Sequence, residues 1–334
     1  MADIPAERVE QLIAEALKGQ GVNGDSAQSV ARALVNAEID GQGGHGISRF
    51  AAYSAQVTTG KVNAAATPQA SNLAPGFISI DAQSGFAFPA IDAAIKQLTE
   101  QAGQQGIALA AIKNSHHAGQ LGAHVERLAK QGLVAIMVSN TPKAMPPWGG
   151  NEPIFGTNPI AFAAPREGDE PLVIDLSLSK VARGKIMRAA QKGESIPEGW
   201  ALDKSGQPTS DANDALAGSM LPVGDTKGAA LALIVEVLSA TLTGANYSFE
   251  ASSFFEAEGP APGIGHLIIA INPGLDNQYS FTQRLEVLLN AISSQPGTRI
   301  PGSSRLTRRA ANPSKHLNIS EEVVHQLEQK ISTD

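Results

Sequence analysis

The sequence contains no cysteine. Disulfides, thiolate metal centres and cysteine nucleophiles are therefore excluded, and a reducing cytoplasm is the expected location. There is no basic excess either, since 25 lysines and arginines face 32 aspartates and glutamates for a net charge of −7. A surface that tracks nucleic-acid phosphates needs the opposite balance, so nucleic acid is not an expected partner. Nor is there a long apolar run. The longest, residues 228–240, is interrupted by Glu236 and is too short and alanine-rich for a membrane span. It reads as a buried helix. Residues 1–18 alternate charge with Val9, Leu12, Ile13 and Leu17 at helical spacing, which describes an amphipathic helix rather than a signal peptide. A soluble chain without membrane contact is expected, and it carries no internal repeat.

What is present suits a mixed α/β architecture. A length of 334 residues is enough for two domains. Three segments can be told apart. The first, 1–74, is helical, with helices expected over 7–18, 26–40 and 48–59. In the second, 75–227, short apolar runs at 77–80, 107–112, 134–138 and 172–174 read as strands, with helices over 89–104 and 122–131 between them. The third, 228–334, adds the apolar helix 228–242, a strand at 267–271 and helices over 281–293 and 320–331. Ser320 followed by Glu321 and Glu322 makes a good start for the last one. Residues 243–265 are the longest irregular stretch and a candidate lid or interface loop.

The dinucleotide fingerprint Gly-x-Gly-x-x-Gly occurs twice, at Gly19, Gly21 and Gly24 and at Gly41, Gly43 and Gly46. In a Rossmann fold those glycines close a strand and open a helix. Both copies here follow an expected helix, so neither is a Rossmann site.

Five other constellations bear chemistry. In Asp40-Gly-Gln-Gly-Gly-His-Gly-Ile-Ser-Arg49, four glycines surround His45, a residue suited to general acid work near neutrality. Arg49, four residues on, can grip a carboxylate with its fork of donors. By itself the segment reads equally well as a glycine-rich turn. Asn114-Ser-His-His-Ala-Gly-Gln-Leu-Gly122 follows a strand and opens a helix, presenting backbone amides to an anion. His116, His117 and His124 lack the spacing and carboxylate of a metal motif. Phe155-Gly-Thr-Asn-Pro-Ile-Ala-Phe162, then Asp175 and Ser177, then Arg183-Gly-Lys185 offer ribose and anion contacts, or merely a strand with solvated cations. Gly224-Asp-Thr-Lys-Gly228 opens the apolar helix without P-loop spacing. Arg299-Ile-Pro-Gly-Ser-Ser-Arg305 is a compact basic loop.

Together, Gly44-His-Gly with Arg49, Ser115-His-His117, Phe155-Gly-Thr-Asn-Pro-Ile-Ala-Phe162 and Arg299-Ile-Pro-Gly302 resemble the malate/L-lactate dehydrogenase family of the non-Rossmann type. That family also holds sulfolactate and ureidoglycolate dehydrogenases, diketogulonate reductase and Δ1-piperideine-2-carboxylate reductases. The resemblance runs over nearly the whole chain. It implies a homodimer, a nicotinamide-binding domain on a mixed sheet of the L-sulfolactate dehydrogenase type, and NAD or NADP as cofactor. It makes His45 the proton donor and turns Arg49, Thr157, Arg183, Gly184 and Lys185 toward a small carboxylic acid. Cofactor contacts are implied for His117, Ala118, Gly119, Gln120 and Leu121, for Asp175, Leu176 and Ser177, for Thr226 and Lys227, and for Arg299, Pro301, Gly302 and Arg305. No metal is implied.

Two departures stand out. Gly44 occupies the place where the family commonly has a serine before the histidine, so any orienting group must come from elsewhere. Lys185 stands where cyclic-imine reductases can have an aspartate. The expected activity is hydride transfer between nicotinamide and C2 of a malate-, lactate- or sulfolactate-like acid. Cyclic-imine reduction is the alternative, and a nucleotide-binding protein without catalysis is the reading from another class.

Overall fold

The computed structural model describes residues 1–275 and 280–331; residues 276–279 and 332–334 of the third sequence segment lie outside the description. The chain opens with a short strand β1 (Ala2–Pro5) and three helices, α1 (Ala6–Gly19), α2 (Gly24–Ile39) and α3 (Phe50–Thr58). The turn between α1 and α2 contains the first glycine triplet, and Asn23 caps α2 by accepting from the Ser26 amide at 2.8 Å. Two 3₁₀ turns, Gly43–His45 and Ile47–Arg49, follow α2, and the second triplet runs from Gly41 before the first turn to Gly46 between the two. Neither triplet joins a strand to a helix, as expected.

The middle of the chain builds a mixed sheet. Its elements are β2 (Gln69–Ala74), β3 (Phe77–Asp81), α4 (Ala87–Gln105), β4 (Ile107–Ser115), α5 (Leu121–Ala129), β5 (Val134–Ser139), β6 (Ile160–Ala164) and β7 (Leu172–Leu176). α4 forms because Ala87, Ala90, Ile91, Ala94, Ile95, Leu98 and Ala102 recur at helical spacing and bury one face on the sheet. It crosses over between β3 and β4, which pair in parallel. α6 (Arg183–Lys192) follows. A small sheet of β8 (Ala201–Leu202), β9 (Pro208–Thr209) and β10 (Ser219–Met220) includes α7 (Ala212–Ala217) in its connection. Then come α8 (Thr226–Glu236), β11 (Ile264–Ile271), α9 (Phe281–Ser293), α10 (Ser303–Ala311), β12 (His316–Ile319) and α11 (Glu321–Ile331).

The C-terminal third is woven into both earlier parts. β11 sits in the middle of the large sheet, whose order is β2-β3-β4-β11-β5-β6-β7, and it pairs antiparallel with β4 and β5. β12 pairs with β1, and Leu317, Ile319 and Leu327 join the core of α1 and α2. Strands far apart in sequence thus complete each layer.

The apolar helix departs from expectation. α8 ends at Glu236 and continues as a π-helical turn, Val237–Thr241. It is not buried all round, because Leu231, Leu233, Ile234, Val237 and Leu242 are exposed. Alanine, leucine and isoleucine on every face predict burial on every face, yet the chain covers only one side of this helix.

A buried ion cluster fastens α2, α5 and α10. Arg309 reaches Asp40 at 2.5 and 2.9 Å and Glu126 at 2.7 and 3.0 Å. Arg305 adds a contact to Glu126 at 3.3 Å. Burial alone would raise the Glu126 pKa, but the bonds to Arg309 and the charges of Arg305, Arg309 and Lys130 outweigh it and hold it below the ordinary 4.5. A depressed folded pKa gives stability that is full at neutral pH and lost as pH falls below that ordinary value. Arg309→Met strands two buried carboxylates and should cost about 3–5 kcal/mol. Urea titration at pH 7 checks the loss, and a variant as stable as the parent would show the cluster to be energetically neutral.

Candidate active site

The His45 loop is pinned from behind by Glu38. Its carboxylate accepts from the Ile47 amide at 2.8 Å and lies so close to Gly46 that a Cβ there would stand 2.2 Å from its oxygen. Only glycine fits that approach. Burial of Glu38 raises its pKa. Gly44 has open space around its absent side chain, so the missing serine is not a packing requirement.

His45 and His117 stack with ring centroids 5.2 Å apart and a 17° interplanar angle. His45 Nδ1 lies 3.3 Å from His117 Nε2. The far nitrogen of His117, Nδ1, meets the Tyr53 hydroxyl at 2.6 Å. The group that orients the histidine in place of a preceding serine is thus a second histidine backed by a phenol. Tyr53 comes from α3, is fully buried, and packs its ring against Phe86 and edge-on to His116. Burial, reinforced by the Arg49 charge, lowers the His45 pKa to about 4, and the same two causes act first on His117. Both rings are therefore uncharged at neutral pH.

Arg49 folds back on the loop, its Nε donating to the Gly44 carbonyl at 2.7 Å. Its guanidinium lies 4.5 Å over the Phe255 ring. One terminal nitrogen, Nη1, is buried without a hydrogen-bond partner. This is unused donor capacity beside the histidine pair. His116 is also buried with both ring nitrogens unpartnered, and Phe254 packs on both His116 and His117. His124 is turned elsewhere, its Nε2 bonded to the Ala118 carbonyl at 2.8 Å.

The irregular stretch 243–265 supplies the roof of this site. Lys61, at the foot of α3, is 3% exposed. Its ammonium donates to the carbonyls of Ser253, Glu256 and Glu258 at 2.7, 2.9 and 3.1 Å. Gln56 and Thr59 bind the same loop through the carbonyls of Phe254, Glu256 and Ala257. These contacts hold Phe254 against the two histidines and Phe255 under Arg49.

The other sequence-derived residues form separate groups. The Asp175 carboxylate at the end of β7 accepts from the Gly122 amide at 2.7 Å, and Gly302 approaches the Val173 carbonyl so closely that a Cβ would stand 2.6 Å away. Arg305 is buried beside them. Gln120, between His117 and α5, donates to Asp40 at 2.9 Å. The Thr157 amide donates to Thr141 Oγ1 at 2.9 Å. Next to it Asn158, at φ 40°, ties the turn to the buried Glu236 of α8 at 2.8 Å. The Leu178 amide donates to the Thr157 carbonyl at 2.8 Å. Arg183 spends one donor on the Leu216 carbonyl at 3.3 Å, while Gly184, Lys185, Thr226 and Lys227 are exposed at the starts of α6 and α8. Arg299 binds Ser304 at 3.1 Å. Among the described residues His45, Arg49 and His117 come together, whereas no contact joins Arg183 to Arg49. Tyr53, Lys61, Asp40 and Glu236 escaped the sequence reading. Glu236 carried a signal as the charge interrupting an apolar run, and Tyr53 stood four residues after Arg49 on one helical face without marking itself off from core.

Stacked neutral histidines beside an arginine, on a mixed sheet without a Rossmann crossover, form a candidate acid–base site. The comparisons with known proteins agree. The malate/L-lactate dehydrogenase family profile matches residues 4–328, and the chain belongs to that family. It is 50% identical over 324 residues to a (2R)-3-sulfolactate dehydrogenase (NADP(+)) of Chromohalobacter salexigens, covering 97% of this chain and 96% of that one. Identity to a Δ1-pyrroline-2-carboxylate/Δ1-piperideine-2-carboxylate reductase of Pseudomonas putida is 37%, covering 98% and 96%. The crystal structure of a Δ1-piperideine-2-carboxylate reductase from Pseudomonas syringae superposes with a TM-score of 0.94 at 35% identity, over 99% of this chain and 100% of that one. The chain is a nicotinamide-dependent oxidoreductase, and the reading without catalysis falls away.

Lys61→Met removes a charged donor to three loop carbonyls, so stability should drop by about 1–3 kcal/mol. Hydrogen exchange should quicken at 253–258 and stay unchanged in β5. Uniform quickening would show that Lys61 supports the whole fold instead of the roof.

Proposed function

We propose that the enzyme interconverts a short 2-hydroxy acid bearing a second anionic group, 3-sulfolactate foremost, with its 2-oxo acid, using NADP(H). The observation that carries this reading is the His45–His117 pair with the unpartnered Arg49 donor beside it: an acid for the C2 oxygen next to a fork for the C1 carboxylate. The half-identical sulfolactate dehydrogenase supports the choice of acid and of NADP. Lys185, exposed in the first turn of α6 beside Arg183, supplies a cation for the second anionic group.

The residues present fit a dinucleotide. Arg305 is buried, spends one nitrogen on Glu126 and keeps Nε and Nη2 without a partner, which suits a phosphate oxygen. With Arg305, the residues Arg299, Pro301, Gly302, Asp175, Leu176, Ser177, Thr226, Lys227 and the turn from His117 through Ala118, Gly119 and Gln120 to Leu121 would hold it. When bound, the nicotinamide gives a hydride to C2 or takes one from it. Arg49 and Arg183 orient the carboxylate, Thr157 borders the acid, and His45 gives the C2 oxygen a proton or takes it back.

A second reading is reduction of a cyclic imino acid, favoured by the 0.94 TM-score to the piperideine-2-carboxylate reductase. We further infer a cytoplasmic homodimer. The open apolar side of α8, with Leu231, Leu233, Ile234 and Val237, is the surface a second copy would cover. No helix among the described residues is long and apolar enough to cross a membrane.

Oxidation of NADH and NADPH against 3-sulfopyruvate, oxaloacetate, pyruvate and Δ1-piperideine-2-carboxylate tests the substrate, and preference for the imine would replace the first reading by the second. His45→Ala should lower kcat by roughly 10²–10⁴-fold with cofactor affinity kept; a change in KM alone would remove His45 from the acid role. Arg49→Lys should raise KM for the acid because the planar fork is lost, and an unchanged KM would take Arg49 out of the carboxylate site. Ile234→Glu should shift light-scattering mass from dimer to monomer, and an unshifted mass would place the interface elsewhere.

A further inference from the structure

We propose that Tyr53 and His117 form a proton relay behind His45, so that the proton given to the substrate is replaced at once from a buried phenol. The proposal rests on the reading of His45 as the acid for C2 oxygen.

Hydrogen-bond direction follows from counting protons. Tyr53 Oη has one proton, and the only acceptor it meets among the described residues is His117 Nδ1, 2.6 Å away. It therefore donates, and His117 carries its own proton on Nε2. That nitrogen faces His45 Nδ1 at 3.3 Å, so Nδ1 is the acceptor and the His45 proton sits on Nε2. His45 Nε2 has no partner among the described residues, and the ring is half-exposed. Two neighbours thus leave the one donor of His45 facing the open side.

A neutral imidazole cannot simply lose that proton, because the imidazolate left behind is far too basic to form. It must gain one at Nδ1 as it gives one from Nε2. The line of three groups meets this need. The C2 oxygen of the oxo acid, reduced by the hydride pair, takes the proton from His45 Nε2. His45 Nδ1 takes one from His117 Nε2, and His117 Nδ1 takes one from Tyr53 Oη. Three N–H or O–H bonds break and three form, the alkoxide becomes an alcohol, and the tyrosine becomes a phenolate. After product leaves, a proton from solvent enters at His45 Nε2 and the two inner shifts run backwards, His45 Nδ1 to His117 Nε2 and His117 Nδ1 to Tyr53 Oη. Alcohol oxidation uses the reverse order.

The surroundings suit both ends. Burial and Arg49 keep His45 uncharged at neutral pH, so direct donation from an imidazolium is closed to it there. Burial holds Tyr53 protonated at rest while the Arg49 charge opposes it, and Arg49 is the cation against which the transient phenolate forms. The other titratable groups acting on His117 are His116 after β4 and His266 in β11, while Lys61 below α3 acts on His116 and Glu38 lies behind the His45 loop on the Ile47 amide. His266 is fully buried between Ser139 and Ser115. The two histidines and Lys61 act against protonation. Tyr53 is a positioning residue here, touching neither substrate nor cofactor, while His117 also belongs to the turn that would hold the dinucleotide.

The test compares reductive kcat from pH 4.5 to 9 for the parent and Tyr53→Phe, which keeps the ring and deletes the proton. NADPH affinity is followed by fluorescence. The parent should be nearly flat through neutrality. Tyr53→Phe should lose on the order of 10²-fold near pH 8 and recover toward pH 4.5, where His45 becomes an imidazolium and donates without help. The proton inventory in mixed light and heavy water should be bowed for the parent and linear for the variant. His117→Gln, which still donates to His45 but cannot pass a proton on, should behave alike and covers the case of a poorly folded Tyr53→Phe. A loss equal at every pH, or kcat equal to the parent, would overturn the relay. Parent protein inactive on every oxo acid and imine would instead overturn the reading of His45 on which the relay rests.

Discussion

The Asp40 carboxylate is the point from which the site is hung. It is fully buried and faces two partners, the guanidinium of Arg309 and the side-chain amide of Gln120. Asp40 directly precedes the loop that carries His45, and Gln120 directly follows the turn that carries His117. One anion therefore fixes the start of one loop and the end of the other, and the two imidazoles meet because their attachments do. Arg309 makes this tolerable energetically by serving Glu126 as well, since a buried charge without a partner would cost more than the fold gains from the constraint. The arrangement is a registry device: it adds modestly to stability and strongly to precision.

Around that anchor the chemistry is set by exclusion of charge. The His117 ring stacks on His45 and meets Tyr53 and Phe254, Tyr53 packs in turn on Phe86 and Phe88, and the charge that acts on both imidazoles is the Arg49 cation. Histidines placed in such a setting stay neutral, which turns a pair of potential acids into a pair of oriented dipoles with defined donors and acceptors. An acid anion entering beside Arg49 meets fixed dipoles and an unspent donor in place of competing carboxylates.

Much of this was legible in the sequence, and the parts that were not share a cause. The longer helices and the central strands showed themselves through periodicity, down to α9, whose bounds were expected at 281–293 and are observed at Phe281–Ser293, whereas β1, β2, β6, β12, α6, α7, α10 and the small sheet were not expected. Both glycine triplets were correctly set aside because of what precedes them. His45, Arg49 and His117 stood out through composition around them. The residues that organise them did not. Asp40 and Arg309 are 269 positions apart, and Lys61 meets carbonyls 192 to 197 residues away; local pattern carries no information about such pairs. Tyr53 was hidden for another reason, since a tyrosine on an apolar helix face is expected to be core. The exposed side of α8 was misread because apolar composition reports what must be covered but not which chain covers it.

α3 has one more consequence. On one face it presents the phenol behind His117, and at its foot Gln56, Thr59 and Lys61 grip the loop that lies over the histidines. Ceiling and back wall of the pocket are thus mounted on a single beam. Lifting the ceiling to let a ligand pass must either tear the lysine from its three carbonyls or carry the beam along, and the second route withdraws the phenol from the imidazole. On the relay reading, displacement of the loop and integrity of the Tyr53–His117 contact are mechanically linked through α3.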